Sequence, residues 1–177
     1  MTRRSNPSGL FSFPNPVNEV AARVVAGVVV AMCAAAIAAR EPWLLLPLAY
    51  GFWARVLTGP SLSPLGQLAT RMVAPRLGPA RPVPGPPKRF AQAMGTVFST
   101  LAIVLWFGFS AHLATWVVVG LLGAAASLES FAGYCIGCRI FALLMRVGLV
   151  PEGVCEECAD LGRRHPELAV GQSAGRS

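Results

Sequence analysis

The fold is decided by residues 90–128, which read FAQAMGTVFSTLAIVLWFGFSAHLATWVVVGLLGAAASL. These thirty-nine residues contain no Asp, Glu, Lys or Arg. Since a helix that crosses a bilayer needs about twenty apolar residues, the stretch is long enough for two spans joined by a short turn. We place this turn around Ser110 to Leu113, and Glu129 ends the second of the two spans.

Two more apolar segments precede this stretch. Residues 20–39 supply about twenty residues, the length of one span. Residues 42–57 form a shorter segment with Pro47 inside it and with Trp43 and Trp53 near its two ends, as in the aromatic belts of membrane proteins. The sequence therefore predicts an all-α fold, a membrane bundle of four transmembrane helices with additional interfacial helices and a short Cys-containing cytoplasmic tail.

The composition of the whole chain agrees with a membrane protein. Of the 177 residues, 54% are hydrophobic and only 13% are charged, against about 25% charged in an average soluble domain. The mean hydropathy is +0.57. These values exclude a soluble globular protein and a wholly disordered chain. The sequence contains no Ser-His-Asp set and no nucleotide-binding loop, so we do not expect a stand-alone enzyme.

The basic residues indicate the orientation. The net charge is +7, and no acidic residue lies between Glu41 and Glu129. Lys and Arg concentrate on one side of the predicted spans, whereas the other side has only Arg40 and the titratable His112. The positive-inside rule therefore predicts a protein of the inner membrane with both termini in the cytoplasm. The partner of these charges is expected to be anionic lipid headgroups and not nucleic acid.

Four sections follow from this reading. Residues 1–12 are a disordered basic tail, and residues 13–130 form the transmembrane domain with a basic cytoplasmic loop at 58–89. Residues 131–162 contain an interfacial helix and a double Cys-x-x-Cys tail, and residues 163–177 form a second disordered tail. The alternative for residues 131–149 is a fifth span.

Four of the five cysteines form two Cys-x-x-Cys pairs, Cys135 with Cys138 and Cys155 with Cys158. Sixteen residues separate the pairs, which is the spacing of tetrahedral zinc sites. All four cysteines are therefore candidate zinc ligands, and zinc is the candidate cofactor. Thiol redox chemistry is the other interpretation. In the reducing cytosol these thiols persist, and stable structural disulfides are rare.

In the redox interpretation, Cys135 attacks, Cys138 resolves, Arg139 activates the thiol, and the Cys155/Cys158 pair exchanges electrons with a soluble partner. Helical periodicity predicts that Cys135, Cys138 and Arg139 face water while Ile136 and Ile140 face lipid. Two other classes stay open. The first is a transporter or channel for a thiophilic metal or sulfur species, which would require a homo-oligomer. The second is a membrane scaffold for a soluble partner.

Several short motifs resemble those of the bacterial membrane proteins known as the domain of unknown function 4395 family. They are Val17-Asn18-Glu19 with Arg23, Tyr50-Gly51-Phe52 with Arg55, Ser63-Pro64-Leu65, Gly85-Pro86-Pro87-Lys88-Arg89-Phe90-Ala91-Gln92, and Glu129 followed by Gly133-Tyr134-Cys135-Ile136-Gly137-Cys138. The resemblance covers about residues 13–160. It implies a multi-pass membrane protein of undefined activity, whose partners are expected among thioredoxin-like proteins and sulfurtransferases. It supplies no catalytic residue.

Overall fold

The computed structural model describes residues 17–59, 63–79 and 81–149, and most of these residues are helical. The predicted all-α class is confirmed. In chain order the helices are α1 (Glu19–Ala39), α2 (Leu45–Thr58), α3 (Pro64–Leu68), α4 (Ala74–Leu77), α5 (Gly85–Ile103), α6 (His112–Ala132) and α7 (Ile136–Arg146). A 3-10 helix, Pro42–Leu44, precedes α2, and π-helical segments Ala69–Val73 and Val104–Gly108 follow α3 and α5.

Helices α5 and α6 form the antiparallel hairpin that the uncharged stretch predicts. The chain turns at residues 109–111, where Ser110 adopts a positive φ of 53°. Helix α1 packs along α6, and α2 packs along α5. The buried core between these four helices consists of Val29, Cys33, Leu45, Leu48, Phe52, Ala102, Val119 and Leu122. Cys33 thus behaves as a small apolar side chain, as free buried cysteines usually do.

Three helices are long and apolar enough to cross a membrane: Glu19–Ala39, Gly85–Gly108 and His112–Ala132. They match three of the four predicted spans. Helix α2 has only 14 residues, which is below the usual length of a span. Together with the preceding 3-10 helix it runs beside α5 and the π-helical segment that follows α5, from Phe107, which contacts Trp43, to Gln92, which contacts Arg55. The fourth span stays a prediction.

The segment predicted as a basic loop, 58–89, is partly helical. Residues 64–77 continue from α3 through the π-helical segment to α4. Two-residue strands β1 (Val17–Asn18) and β2 (Pro82–Val83) then pair antiparallel. Helix α5 begins at Gly85, before the predicted start at Phe90, because prolines in the first turn of a helix lose no hydrogen bond. The predicted tails 1–12 and 163–177 lie outside the described residues.

Helix α1 is held at its first turns. The side chain of Asn18 caps it by accepting a hydrogen bond of 3.0 Å from the backbone N–H of Val20. Arg23 donates from Nε to the carbonyl oxygen of Ser130 at 3.1 Å and from Nη2 to that of Phe131 at 3.0 Å. These carbonyls belong to the last turn of α6, where helical partners are missing. The start of α1 therefore lies at the end of α6.

Candidate functional site

A buried ion pair joins the two helices of the hairpin at one end of the bundle. Lys88 Nζ in the first turn of α5 lies 2.6 Å from Glu129 Oε1 in the last turn of α6, and the side chains are 11% and 15% exposed. Charges taken out of water are costly unless they are paired. The partner of Glu129 is therefore on the other helix of the hairpin.

A second buried cation, Arg55 of α2, lies at the same end and is only 6% exposed. Its Nε donates to Oε1 of Gln92 on α5 at 2.9 Å. Its guanidinium also lies 4.7 Å from the ring centroid of Phe52, within the range of a cation–π contact. Its Nη2 is buried and has no hydrogen-bond partner among the described residues. Such an orphaned buried donor is uncommon in proteins.

A cavity of about 340 Å³ lies beside these groups. Its polar lining comes from Arg55, Gln92, Glu129 and Cys135. The rest of the wall is apolar and comes from α1, α2, α5, α6 and α7, with Val25, Val29, Phe98, Leu122 and Ile140 as examples. An apolar cavity with a few convergent polar groups has the character of a small-molecule site. We call the cluster Arg55, Lys88, Gln92, Glu129, Cys135 and Cys138 the polar end of the bundle.

Helix α7 brings the first Cys-x-x-Cys pair to the polar end. Gly133 ends α6 with a positive φ of 66°, which favours glycine, and Cys135 then forms the N-cap of α7. Helix α7 packs closely on α5, because a Cβ on Gly137 would lie 2.6 Å from Cβ of Ala91. The ring centroids of Phe141 on α7 and Phe90 on α5 are 5.6 Å apart.

The predicted orientation of α7 is wrong in one respect. Cys135 is 8% exposed and does not face water, and Ile136 and Ile140 line the cavity instead of facing lipid. The prediction treated lipid as the apolar partner of this helix, whereas α5 and the cavity take that place. Arg139 is exposed, as predicted.

The two thiols differ in acidity. The thiol of Cys138 donates a hydrogen bond to the sulfur of Cys135, and this lowers the pKa of Cys135 below that of an ordinary thiol. The ammonium of Lys88 acts in the same direction, while burial and the carboxylate of Glu129 oppose it. The same hydrogen bond, followed by burial, raises the pKa of Cys138. Cys135 is therefore the better nucleophile and Cys138 holds its proton.

The other predicted site residues are distributed as follows. The guanidinium of Arg139 lies 5.1 Å from the ring centroid of Tyr134, and its activating role stays a prediction. Cys135 and Cys138 are free thiols and not a disulfide. Cys155 and Cys158 lie outside the described residues. Within the part of the chain that is described, no three His, Cys, Asp or Glu residues cluster as metal ligands would.

Sequence reasoning missed Lys88 and Arg55 as site residues, although a signal for Lys88 was present. Lys88 and Glu129 flank the uncharged stretch 90–128 at its two ends. A stretch that folds as a hairpin of two nearly equal helices brings its two ends to the same level. This symmetry could have identified the acid and the base as neighbours, but the sequence analysis did not use it. No comparable signal in the sequence pairs Arg55 with Gln92, because these residues lie on helices separated by the loop.

A model of the family described as domain of unknown function DUF4395 matches residues 17–146. This is well over half of the chain. The protein belongs to this family. The matched DUF4395 region contains the whole polar end, including Cys135 and Cys138, and ends before Cys155 and Cys158. No curated protein and no solved structure matches the chain.

Proposed function

We propose that this DUF4395 protein is an inner-membrane thiol–disulfide exchange protein in which Cys135 is the attacking thiol and Cys138 the resolving thiol. The single observation that carries the proposal is the position of the pair: Cys135 is the N-cap of α7, and its sulfur lies against the Cys138 thiol one turn further along, which makes the two thiols unequal. Dithiol catalysts need this asymmetry, since the thiolate and not the thiol attacks a disulfide.

The surroundings of the pair support the same chemistry. The N-terminus of a helix stabilises negative charge, and Cys135 is the N-cap of α7. Lys88 adds a positive charge that is held in place by its ion pair with Glu129. The same charge would also stabilise zinc-bound thiolates, so zinc binding by all four cysteines stays the competing function, and experiment decides between the two.

The exchange proceeds in two balanced steps. The Cys135 thiolate attacks one sulfur of a partner's disulfide, a Cys135–partner bond forms, and the partner's second sulfur leaves and takes a proton. Cys138 then loses its proton and attacks Cys135, which closes the Cys135–Cys138 disulfide and releases the partner's first thiol. Two electrons pass to the partner. The reverse sequence with a partner dithiol returns them.

A thioredoxin-like or sulfurtransferase protein of the cytoplasm is the proposed partner, with both termini on that side of the inner membrane. The Lys/Arg asymmetry of the connecting segments supports this orientation. Since Cys135 is nearly buried, exchange with a protein requires α7 to shift away from α5. The four-cysteine zinc site and the thiophile transporter remain the competing functions of the same residues.

The decisive experiment traps the mixed disulfide. The full chain with Cys138→Ser, given a mild disulfide pulse in membranes, is expected to form a covalent adduct at Cys135, because the resolving thiol is missing. Cys135→Ser should form none, and Cys33→Ser, which alters a buried core thiol, should behave like the wild type. No adduct with Cys138→Ser, together with about one zinc per chain that Cys135→Ser abolishes, would replace redox exchange with the zinc site.

A further inference from the structure

The cavity at the polar end has the size and lining of a ligand site that thiol exchange does not require. Its volume of about 340 Å³ falls in the range of small-molecule sites. Most of its wall is apolar, so its occupant must be largely apolar. A lipophilic molecule dissolved in a bilayer meets this condition.

One polar feature of the cavity has no function within the bundle. The Arg55 guanidinium uses Nε for Gln92 and one face for the Phe52 ring. Its Nη2 is buried without a partner in the described part of the chain, and Arg55 lines the cavity. A buried donor without an acceptor is costly. An oxygen acceptor on the occupant removes this cost once the guanidinium turns Nη2 toward the cavity.

The cavity distinguishes two kinds of acceptor. Glu129 also lines it, but the charge of Glu129 is paired with Lys88, so Arg55 is the cation left to attract an acceptor. Moving an anionic headgroup into this mostly apolar space costs far more free energy than moving a neutral carbonyl oxygen, which also accepts from Arg55. We propose that the cavity binds a lipophilic carbonyl compound, of which a quinone is an example, with its carbonyl oxygen at Nη2 of Arg55. This proposal does not depend on the thiol exchange.

The test compares two probes of nearly the same shape. A dimethylnaphthoquinone carries the carbonyl oxygens, and its methyl groups block addition of thiols to the ring, whereas dimethylnaphthalene lacks the oxygens. In equilibrium dialysis with detergent in both chambers, the full-length protein is expected to bind the quinone at least about tenfold more tightly. Equal affinity for the two probes would overturn the role of Arg55.

Two variants and a control locate the site. Arg55→Met should remove the preference for the quinone, and Ala125→Leu, which fills the cavity without touching a charge, should weaken both probes. Arg71→Met changes an exposed arginine and should leave binding unchanged. Thermal unfolding checks that the variants are folded. If Ala125→Leu binds both probes as the wild type does, the ligand lies elsewhere and the proposal fails.

A third probe separates the neutral from the anionic source of the oxygen. Decanoate offers a carboxylate on a lipophilic chain and is expected to bind more weakly than the quinone. Tighter binding of decanoate that Arg55→Met abolishes would overturn the neutral carbonyl in favour of a fatty-acid site. Neither result alters the mixed-disulfide experiment, so the two proposals fail separately.

Discussion

Helices α1, α2, α5 and α6 run between two ends of opposite chemistry, and α7 adds its cysteines at only one of them. The polar end contains two buried cations, a half-buried carboxylate, and one buried and one half-buried thiol. At the other end, rings lie against one another: Trp43 is 5.5 Å from Phe107, and Trp106 is 4.1 Å from His112 and 5.3 Å from Trp116, measured between centroids. We call these five residues the aromatic end.

The contrast indicates different roles for the two ends, membrane anchoring at the aromatic end and chemistry at the polar end. Aromatic side chains at the end of a membrane helix fit the interface between lipid and water, where they anchor the helix. Ionisable groups buried within a membrane bundle are expensive, and they are retained where function needs them. Helix α2 links the two ends, because Trp43 precedes it and Arg55 lies in its last turn. The polar end is therefore where variants should change activity as well as stability.

Breaking the ion pair should give the largest effect. Glu129→Ala leaves Lys88 buried without a partner and is expected to destabilise the protein by about 3–5 kcal/mol. The double variant Lys88→Met with Glu129→Leu removes both charges and should recover most of this loss. Chemical unfolding in detergent measures all three proteins. A Glu129→Ala protein as stable as the wild type would remove the energetic distinction between the two ends.

Overpacking the contact between α2 and α5 should give the second largest loss of stability. A Cβ on Gly95 would overlap the ring of Phe52, so Gly95→Ala should cost about 1–3 kcal/mol and displace Arg55, which packs on that ring. The matched control is Gly120→Ala on α6, where no atom lies within 4 Å of the added Cβ. This control should be neutral or slightly stabilising, since alanine favours helix. Thermal unfolding compares the two, and equal shifts would contradict the packing argument.

The reactivity of Cys135 tests the electrostatics of the polar end. Because its pKa is lowered, the alkylation rate of Cys135 should reach half its maximum at a lower pH than that of an ordinary thiol. Lys88→Met removes a charge that lowers this pKa and should slow alkylation at pH 7, whereas Glu129→Gln removes a charge that raises it and should speed alkylation. Rates for the Cys135 peptide come from mass spectrometry with a small alkylating agent. Shifts of the same sign in both variants would contradict the assignment.

The aromatic end should give the smallest effect. Trp43→Ala removes the contact with Phe107 and is expected to cost about 0.5–1.5 kcal/mol beyond the lost apolar area. The alkylation rate of Cys135 should stay at the wild-type value, because the change lies at the opposite end of α2. A changed rate would show that the two ends are coupled and would weaken the separation of anchoring from chemistry.

The hairpin was predictable from sequence because an uncharged stretch of this length has few alternatives in a bilayer, and the turn at 109–111 falls close to the predicted position. The Cys-x-x-Cys spacing alone indicated Cys135 and Cys138 as candidate site residues. The inward face of α7 was not predictable, since periodicity shows which residues share a face but not what covers that face. The small residues Gly137 and Ala91 let α5 pack on that face. Predicting this contact would have required knowing how the two helices lie relative to each other.

Arg55 shows the same limit. A charged residue near the end of an apolar segment is typical of the membrane boundary, where the residue needs no partner inside the protein. Only the packing of α2 on α5 buries it beside Gln92 and the cavity. Contacts between distant helices therefore carry the part of the site that the sequence did not predict.

The link from Arg23 to the last turn of α6 has a consequence for biogenesis. Its acceptors, the carbonyl groups of Ser130 and Phe131, follow Arg23 by 107 and 108 residues. A ribosome synthesises α1 first, so this guanidinium enters the membrane boundary long before its acceptors exist. The first helix to be synthesised is thus secured by the last long helix, and a nascent chain arrested before α6 would leave this guanidinium without its two acceptors.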